Sequence, residues 1–224
     1  MFRNDTFARA GNNHELAAST YNLILGAVLL WGFALNWWMV TTIPAEVVKA
    51  INPIAFVIGY FASALLGIFL IHVSKQPIVS FIGYNLIVVP IGLVLVMFIP
   101  GHSQEHIVNA VQTTALLTVG MMALGTMFPR FFQRIEGALF WALLISIIVE
   151  LVQVAIFNVK LEIMDWIVAV VFCGYIGVDW GRANNIERTV DNAIDSAACL
   201  YLDIINLFIR ILEIMGSAKD LVDD

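Results

Sequence analysis

A chain of 224 residues that is 61% hydrophobic and only 12% charged, with a mean hydropathy of +0.91, cannot hide its apolar surface in one water-surrounded core. The bilayer is the solvent this composition fits. A net charge of −6 with basic residues scattered singly argues against a nucleic-acid-binding surface. Cys173 and Cys199, both inside apolar runs, offer neither a disulfide framework nor a zinc site.

Residues 1–18 form a polar N-terminal segment carrying Arg3, Asp5, Arg9, His14 and Glu15. The apolar run after it is longer than the ~7–15-residue core of a cleavable signal, so it is expected to remain as a span. A spanning helix needs about 20 mainly apolar residues. Seven runs qualify, at 19–43, 53–73, 78–99, 106–128, 137–157, 163–182 and 192–215. The expected fold class is therefore all-α: a polytopic membrane protein, one bundle of seven transmembrane helices over 19–216, closed by a short acidic tail at 217–224. The connectors are short and hold the breakers, among them Pro44, Pro77, the Pro100–Glu105 stretch and Pro129.

Orientation follows from Lys and Arg. With the N-terminus inside, Arg3, Arg9, Lys75, Arg130, Arg134, Arg182 and Arg188 fall on the inner side, against Lys49, Lys160 and Lys219 outside. The charge count favours an inside N-terminus and an outside C-terminus, unless the last segment is re-entrant. Gly26, Gly32, Gly59, Gly67, Gly120, Gly125, Gly174 and Gly177 punctuate the spans and are expected to let backbones approach. Pro90 inside the third span predicts a kink, or a gate element.

Two acids stand where hydrocarbon should forbid them: Asp179 near the end of the sixth span and Asp203 within the seventh. The segment between these spans contains no Gly or Pro from Ala183 to Asp191, so both helices are expected to run on to a tight turn near residue 191. Asp179 lies twelve residues before that point and Asp203 twelve after it. At 1.5 Å per residue both then sit about 18 Å from the tip and face each other. Two carboxylates in contact in a low dielectric cannot both ionise cheaply, so the pair is expected to share a proton and to act as a pH-sensitive latch. When both acids are charged they offer hard oxygen ligands. With Asn206 one turn on, that is still fewer than the six to eight calcium prefers, which suits weak binding on a conduction path better than storage.

Arg182, three residues beyond Asp179, and Arg210, seven beyond Asp203, can each partner an acid instead. The pair would then be an inert brace holding two helices in register. Glu150, deep in the fifth span, reads equally as a packing partner and an ion-path ligand. Asp195 opens the seventh span as a cap or a solvated acid, and Asp165 starts the sixth where water reaches it from outside. His72 is expected at the interface beside Lys75.

The run Leu200-Tyr-Leu-Asp-Ile-Ile-Asn-Leu-Phe208, followed by Ile209-Arg-Ile-Leu212 and Gly216, resembles the last span of the Bax inhibitor-1 (transmembrane Bax inhibitor motif) family, bacterial members included. Tyr175-Ile-Gly-Val-Asp179-Trp-Gly-Arg182 is similar to the family's sixth-span aspartate, with Val178 where Tyr is common and Ile204 where the last span carries an aromatic. The likeness is specific over about 175–216 and topological elsewhere. It implies a seven-helix bundle in which Asp179 and Asp203 control a pH-sensitive calcium leak, calcium being cargo rather than cofactor. It also implies a basic residue late in the second span that locks the pair, for which His72 and Lys75 are the candidates. The location it implies is the inner (cell) membrane of a bacterium.

Three functions compete for this pattern. The first is a calcium or other cation leak channel or slow transporter gated at Asp179 and Asp203. The second is a regulatory partner of a membrane protease or other membrane protein, with the aspartates structural. The third, an intramembrane aspartyl protease, fails on its motif: Asp203 follows Tyr-Leu rather than Gly-Leu-Gly. No enzyme is expected.

Overall fold

The computed structural model describes residues 15–157 and 161–220. The polar segment up to residue 14, Lys160 in its connector and the end of the acidic tail lie outside the described residues, so the orientation argument rests on sequence there. In chain order the helices are α1 (Ala18–Thr42), α2 (Ala45–Lys49), α3 (Pro53–Val73), α4 (Pro77–Phe98), α5 (Gln104–Met127), α6 (Pro129–Val152), α7 (Glu162–Ala183) and α8 (Val190–Asp220). A 3₁₀ turn at Ile99–Gly101 follows α4, and a π turn at Gln153–Phe157 prolongs α6.

The architecture is all-α and polytopic. Among the described residues six helices, α1, α3, α4, α5, α6 with its π turn, and α7, are long and apolar enough to cross a bilayer. The seventh expected span, 192–215, falls on α8, most of which is buried. Spanning helices satisfy their own backbone hydrogen bonds in hydrocarbon, so the many β-branched residues do not prevent helix formation here. Local chemistry marks the starts. Pro53, Pro77 and Pro129 occupy first-turn positions whose N–H would otherwise be orphaned. The Asn52 side chain accepts from the N–H groups of Ile54 and Ala55, and Ser103 caps α5 by accepting from His106.

Two borders differ from expectation. Helix α6 begins at Pro129 rather than 137, because Arg130, Arg134 and Glu136 made a helical first turn read as a connector. Helix α7 ends at Ala183 and α8 starts at Val190, so residues 184–189 form a connector and no helix reaches a tip at 191.

The chain divides into two compact units: residues up to Gly101 with Asn185–Tyr201, and His102–Asn184 with the chain from Leu202 onward. In the first, α4 packs against α1 and α3. The closest approach is between two glycines: a Cβ on Gly67 would lie 2.5 Å from the Gly83 carbonyl oxygen. Tyr84 of α4 is fully buried and donates to the Val28 carbonyl of α1 at 3.0 Å. Its ring meets Tyr201 of α8 edge-on, and the Tyr201 hydroxyl accepts from Asn36 of α1. Pro90 lies buried inside α4.

In the second unit α7 packs against both α5 and α6. A Cβ on Gly125 of α5 would lie 2.5 Å from the Gly177 carbonyl oxygen of α7, and a Cβ on Gly174 would meet Leu139 of α6 at 2.7 Å. Close helix packing through glycine thus holds for Gly32, Gly67, Gly125, Gly174 and Gly177. It does not hold for Gly26, Gly59 and Gly120, where an added Cβ meets nothing within 4 Å. The outward side chains of α3, among them Ile58, Phe61, Leu65 and Phe69, are exposed, as side chains facing lipid tails would be.

Candidate functional site: a buried carboxyl pair

Asp179 sits in the last turn of α7 and Asp203 in the middle of α8. The two carboxyl groups lie within hydrogen-bonding reach of each other. Neither carboxylate carries a hydrogen of its own, so this contact requires a proton on one of them. The depth-matching expected from a turn at 191 is replaced by different arithmetic. Asp179 is four residues from the end of α7 and Asp203 thirteen from the start of α8. At 1.5 Å per residue these are about 6 and 20 Å, and a connector of six residues, reaching up to about 20 Å, takes up the difference.

Three side chains continue the site outward. Asp179 Oδ1 accepts from Arg182 Nη1 at 2.6 Å, and the other arm of Arg182 donates to Glu136 of α6. Exposure rises along this row: Asp203 is 6% exposed, and the side chains of Asp179, Arg182 and Glu136 are 12%, 31% and 46% exposed. Among the described residues no nitrogen or hydroxyl donates to Asp203 Oδ2, at the dry end. Tyr175, one turn before Asp179, lies within the field of Asp203, Asp179, Glu136 and Arg182. The arrangement is a graded polar row from a dry acid to a wetted one, held at its centre by one guanidinium.

Arg210 goes elsewhere. Its Nη1 donates to Asp165 Oδ1 at 2.7 Å and its Nη2 to Glu150 Oε2 at 2.8 Å, with Glu213 Oε2 at 3.8 Å. This cluster ties α8 to α6 and α7. It corrects the reading of Asp165 as wetted from outside, since that residue is 1% exposed and ion-paired. It also places Glu150 as a packing and charge partner, although Glu150 Oε1 has Arg210 nearby without a well-aligned hydrogen bond. Asn206 turns its amide to the Leu202 carbonyl of its own helix. Asp195 is neither a cap nor solvated: it is buried among the residues of the first unit. His72 ends α3, where its Nδ1 meets the Ile68 carbonyl at 2.9 Å.

Sequence reasoning missed Glu136, assigned to a connector, and Ser80, a small polar residue in an apolar helix with no spacing to mark it. Asp191, seen only as a turn position, is buried and bonded to Ser80. Among the described residues no group of three or more His, Cys, Asp or Glu side chains is placed to hold a metal ion, and neither Cys173 nor Cys199 is in a disulfide.

Fold and site together define a polytopic α-helical membrane protein with a carboxyl pair buried between its last two helices. The family model described as "Inhibitor of apoptosis-promoting Bax1" matches residues 13–220, and the chain belongs to this Bax inhibitor family. It is similar to two proteins of Arabidopsis thaliana, Protein LIFEGUARD 4 at 36% identity and Protein LIFEGUARD 3 at 37%, each over 91 residues. Each match covers 39% of this chain and 36% of the relative's own length.

Proposed function

We propose that the protein is a pH-sensitive leak pathway or slow transporter for a cation, calcium in first place, gated at Asp179 and Asp203. The observation that carries this reading is the approach of the buried Asp203 carboxyl and the largely buried Asp179 carboxyl to hydrogen-bonding reach, where a bond forms only while a proton is shared. With the proton in place, α7 and α8 are latched. Without it, two like charges in a low dielectric repel, and their oxygens become ligands for a passing cation. The oxygens are too few for a tight calcium cage, so a bound ion leaves readily. Arg182 and Glu136 extend the polar row toward water and give the ion or proton a route that is not wholly apolar. No catalytic step belongs to this reading. The charge count adds that the N-terminus faces the cytoplasm, which in a bacterium places the protein in the inner membrane.

The test is calcium flux into liposomes across the physiological pH range. Asp203→Asn is expected to abolish the pH dependence of the leak, because an amide cannot release the latch. A variant whose flux follows pH as the wild type does sinks the gating role.

One observation favours a second reading. Arg182 neutralises Asp179 and grips Glu136, which is how a brace between α6 and α7 is built. In that reading the protein acts by helix contact on a membrane protease or another membrane partner. Absence of flux in any variant, with a partner protein co-purifying, would select it.

A further inference from the structure

Two more carboxyl groups are buried in the first unit, and they lack what their counterparts in the second unit have. There, Asp179 is answered by Arg182 and Asp165 by Arg210. Asp191 and Asp195 have no ion-pair partner among the described residues. They stand four residues apart, on one face of the first turns of α8. Ser80, in the first turn of α4 and 0% exposed, donates its hydroxyl to Asp191 Oδ1 at 2.8 Å and lies within hydrogen-bonding reach of Asp195. Asp191 is 6% exposed and Asp195 4%, and Asp195 Oδ1 is fully buried with no hydrogen-bond partner among the described residues.

We propose that Ser80, Asp191 and Asp195 form a second cation site, taking a small hard divalent ion at the end of the bundle where α4 and α8 begin. The inference does not rest on the role proposed for Asp179 and Asp203.

Three steps carry it. A serine has one hydrogen to give, and it goes to Asp191, so the hydroxyl cannot also satisfy an ionised Asp195. Protonating Asp195 would remove its charge, but its Oδ1 would remain a buried acceptor without a donor, which costs roughly 1–3 kcal/mol. A bound cation removes the charge and satisfies Oδ1 together. The donors are all hard oxygens: two carboxylates and a hydroxyl, with no imidazole or thiolate in the set. That selects calcium or magnesium over zinc, and two carboxylates match a double positive charge.

The remaining titratable groups around the site do not supply that charge. Tyr21 of α1 lies in the field of Asp195, but its hydroxyl is engaged by Ser196 at 3.0 Å and by the Asn192 carbonyl at 3.3 Å. Arg188 of the connector and Cys199 of α8 are felt at Tyr21, and Arg188 forms no ion pair with Asp191 or Asp195 among the described residues. Asp191, ahead of the expected span, has its carboxyl pushed above the ordinary carboxylate range by burial, with the Ser80 hydrogen bond acting against that rise. Protons are therefore expected to compete with the metal.

The experiment counts calcium bound to the full chain in lipid nanodiscs by equilibrium dialysis at neutral pH, with calcium alone as the probe. Asp195→Asn is expected to lose one ion per chain relative to the wild type. Asp203→Asn should retain the Asp195-dependent ion, and the double variant should lose it. Ser80→Ala, which keeps both carboxylates and changes little in shape, is expected to weaken that site about tenfold, as loss of a supporting ligand does. It gives the answer even if Asp195→Asn fails to fold. Wild-type calcium binding in Asp195→Asn, or unchanged affinity in Ser80→Ala, overturns the inference. So does a site that takes up protons but no calcium. If Asp203→Asn binds calcium as the wild type does while Asp195→Asn binds less, the calcium role of the Asp179–Asp203 pair fails and this site stands.

Discussion

Replacing Arg210 with leucine tests whether the charge cluster around it is a structural tie. The guanidinium is bound by Asp165 at 2.7 Å and by both oxygens of Glu150 at 2.8 Å, and its side chain is only 20% exposed. Leucine fills part of the volume but answers neither acid. Glu150, a quarter exposed, can turn toward water; Asp165, with 2% of its side chain exposed, cannot. It is then left without a counter-charge in a dry site. Breaking a buried pair by removing one partner costs about 3–5 kcal/mol, so the expected outcome is a loss of about that size at neutral pH. Adding Asp165→Asn should return most of the loss. Chemical unfolding in detergent, followed by circular dichroism, reads it. A loss below about 1 kcal/mol, or one that Asp165→Asn does not recover, refutes the argument.

The other predictions are shorter. Burial holds the Asp191 carboxyl above its unfolded value, so the folded state binds the extra proton and stability falls as pH rises from the ordinary carboxylate range through the folded value. Asp191→Asn in the presence of a chelator is therefore expected to unfold at a higher temperature than the wild type at neutral pH and at nearly the same temperature in acid. A gap that is constant with pH refutes this. Gly125→Ala places a methyl 2.5 Å from the Gly177 carbonyl oxygen and should cost about 1–3 kcal/mol in the same unfolding assay. Gly120→Ala, five residues earlier on the same helix, meets nothing and should be neutral or stabilising by up to about 1 kcal/mol. Arg182→Gln is expected to release Glu136 and raise protease susceptibility of the α6 start. An unchanged cleavage pattern would show that the Arg182–Glu136 contact does not hold that segment.

What could be seen in the sequence was whatever a single segment decides for itself. Runs of twenty apolar residues can only be helices in hydrocarbon, and α3 was placed to the residue. Asp179 and Asp203 were visible because a carboxylate in such a run has no bland neighbour to hide among. What could not be seen were pairings at a distance. Arg182 has one sequence neighbour that marks itself as a partner, Asp179, yet its second partner is Glu136, 46 residues away. Arg210 looked aligned with Asp203 on α8, but the ions it meets come from α6 and α7. The turn near 191 fails for a local reason: absence of Gly and Pro does not keep a helix going, and Asn184 ends α7 with its own side chain bonded to the Trp180 carbonyl. Asp195 reads as a cap or a solvated acid because it stands near a helix start, though it lies within α8 and is buried.

The two glycine contacts have a consequence for how such a protein can vary. At Gly67, Gly83 and Gly125 a backbone oxygen of the facing glycine occupies the place of the missing side chain, and at Gly177 the Phe132 ring does. Every substitution adds at least one carbon, and no amino acid is smaller, so helix spacing at these points can be lost by mutation but never improved. In a library of random variants selected only for folded protein in the membrane, these four positions should stay nearly unchanged. Gly26, Gly59 and Gly120 should vary as freely as the lipid-facing residues around them.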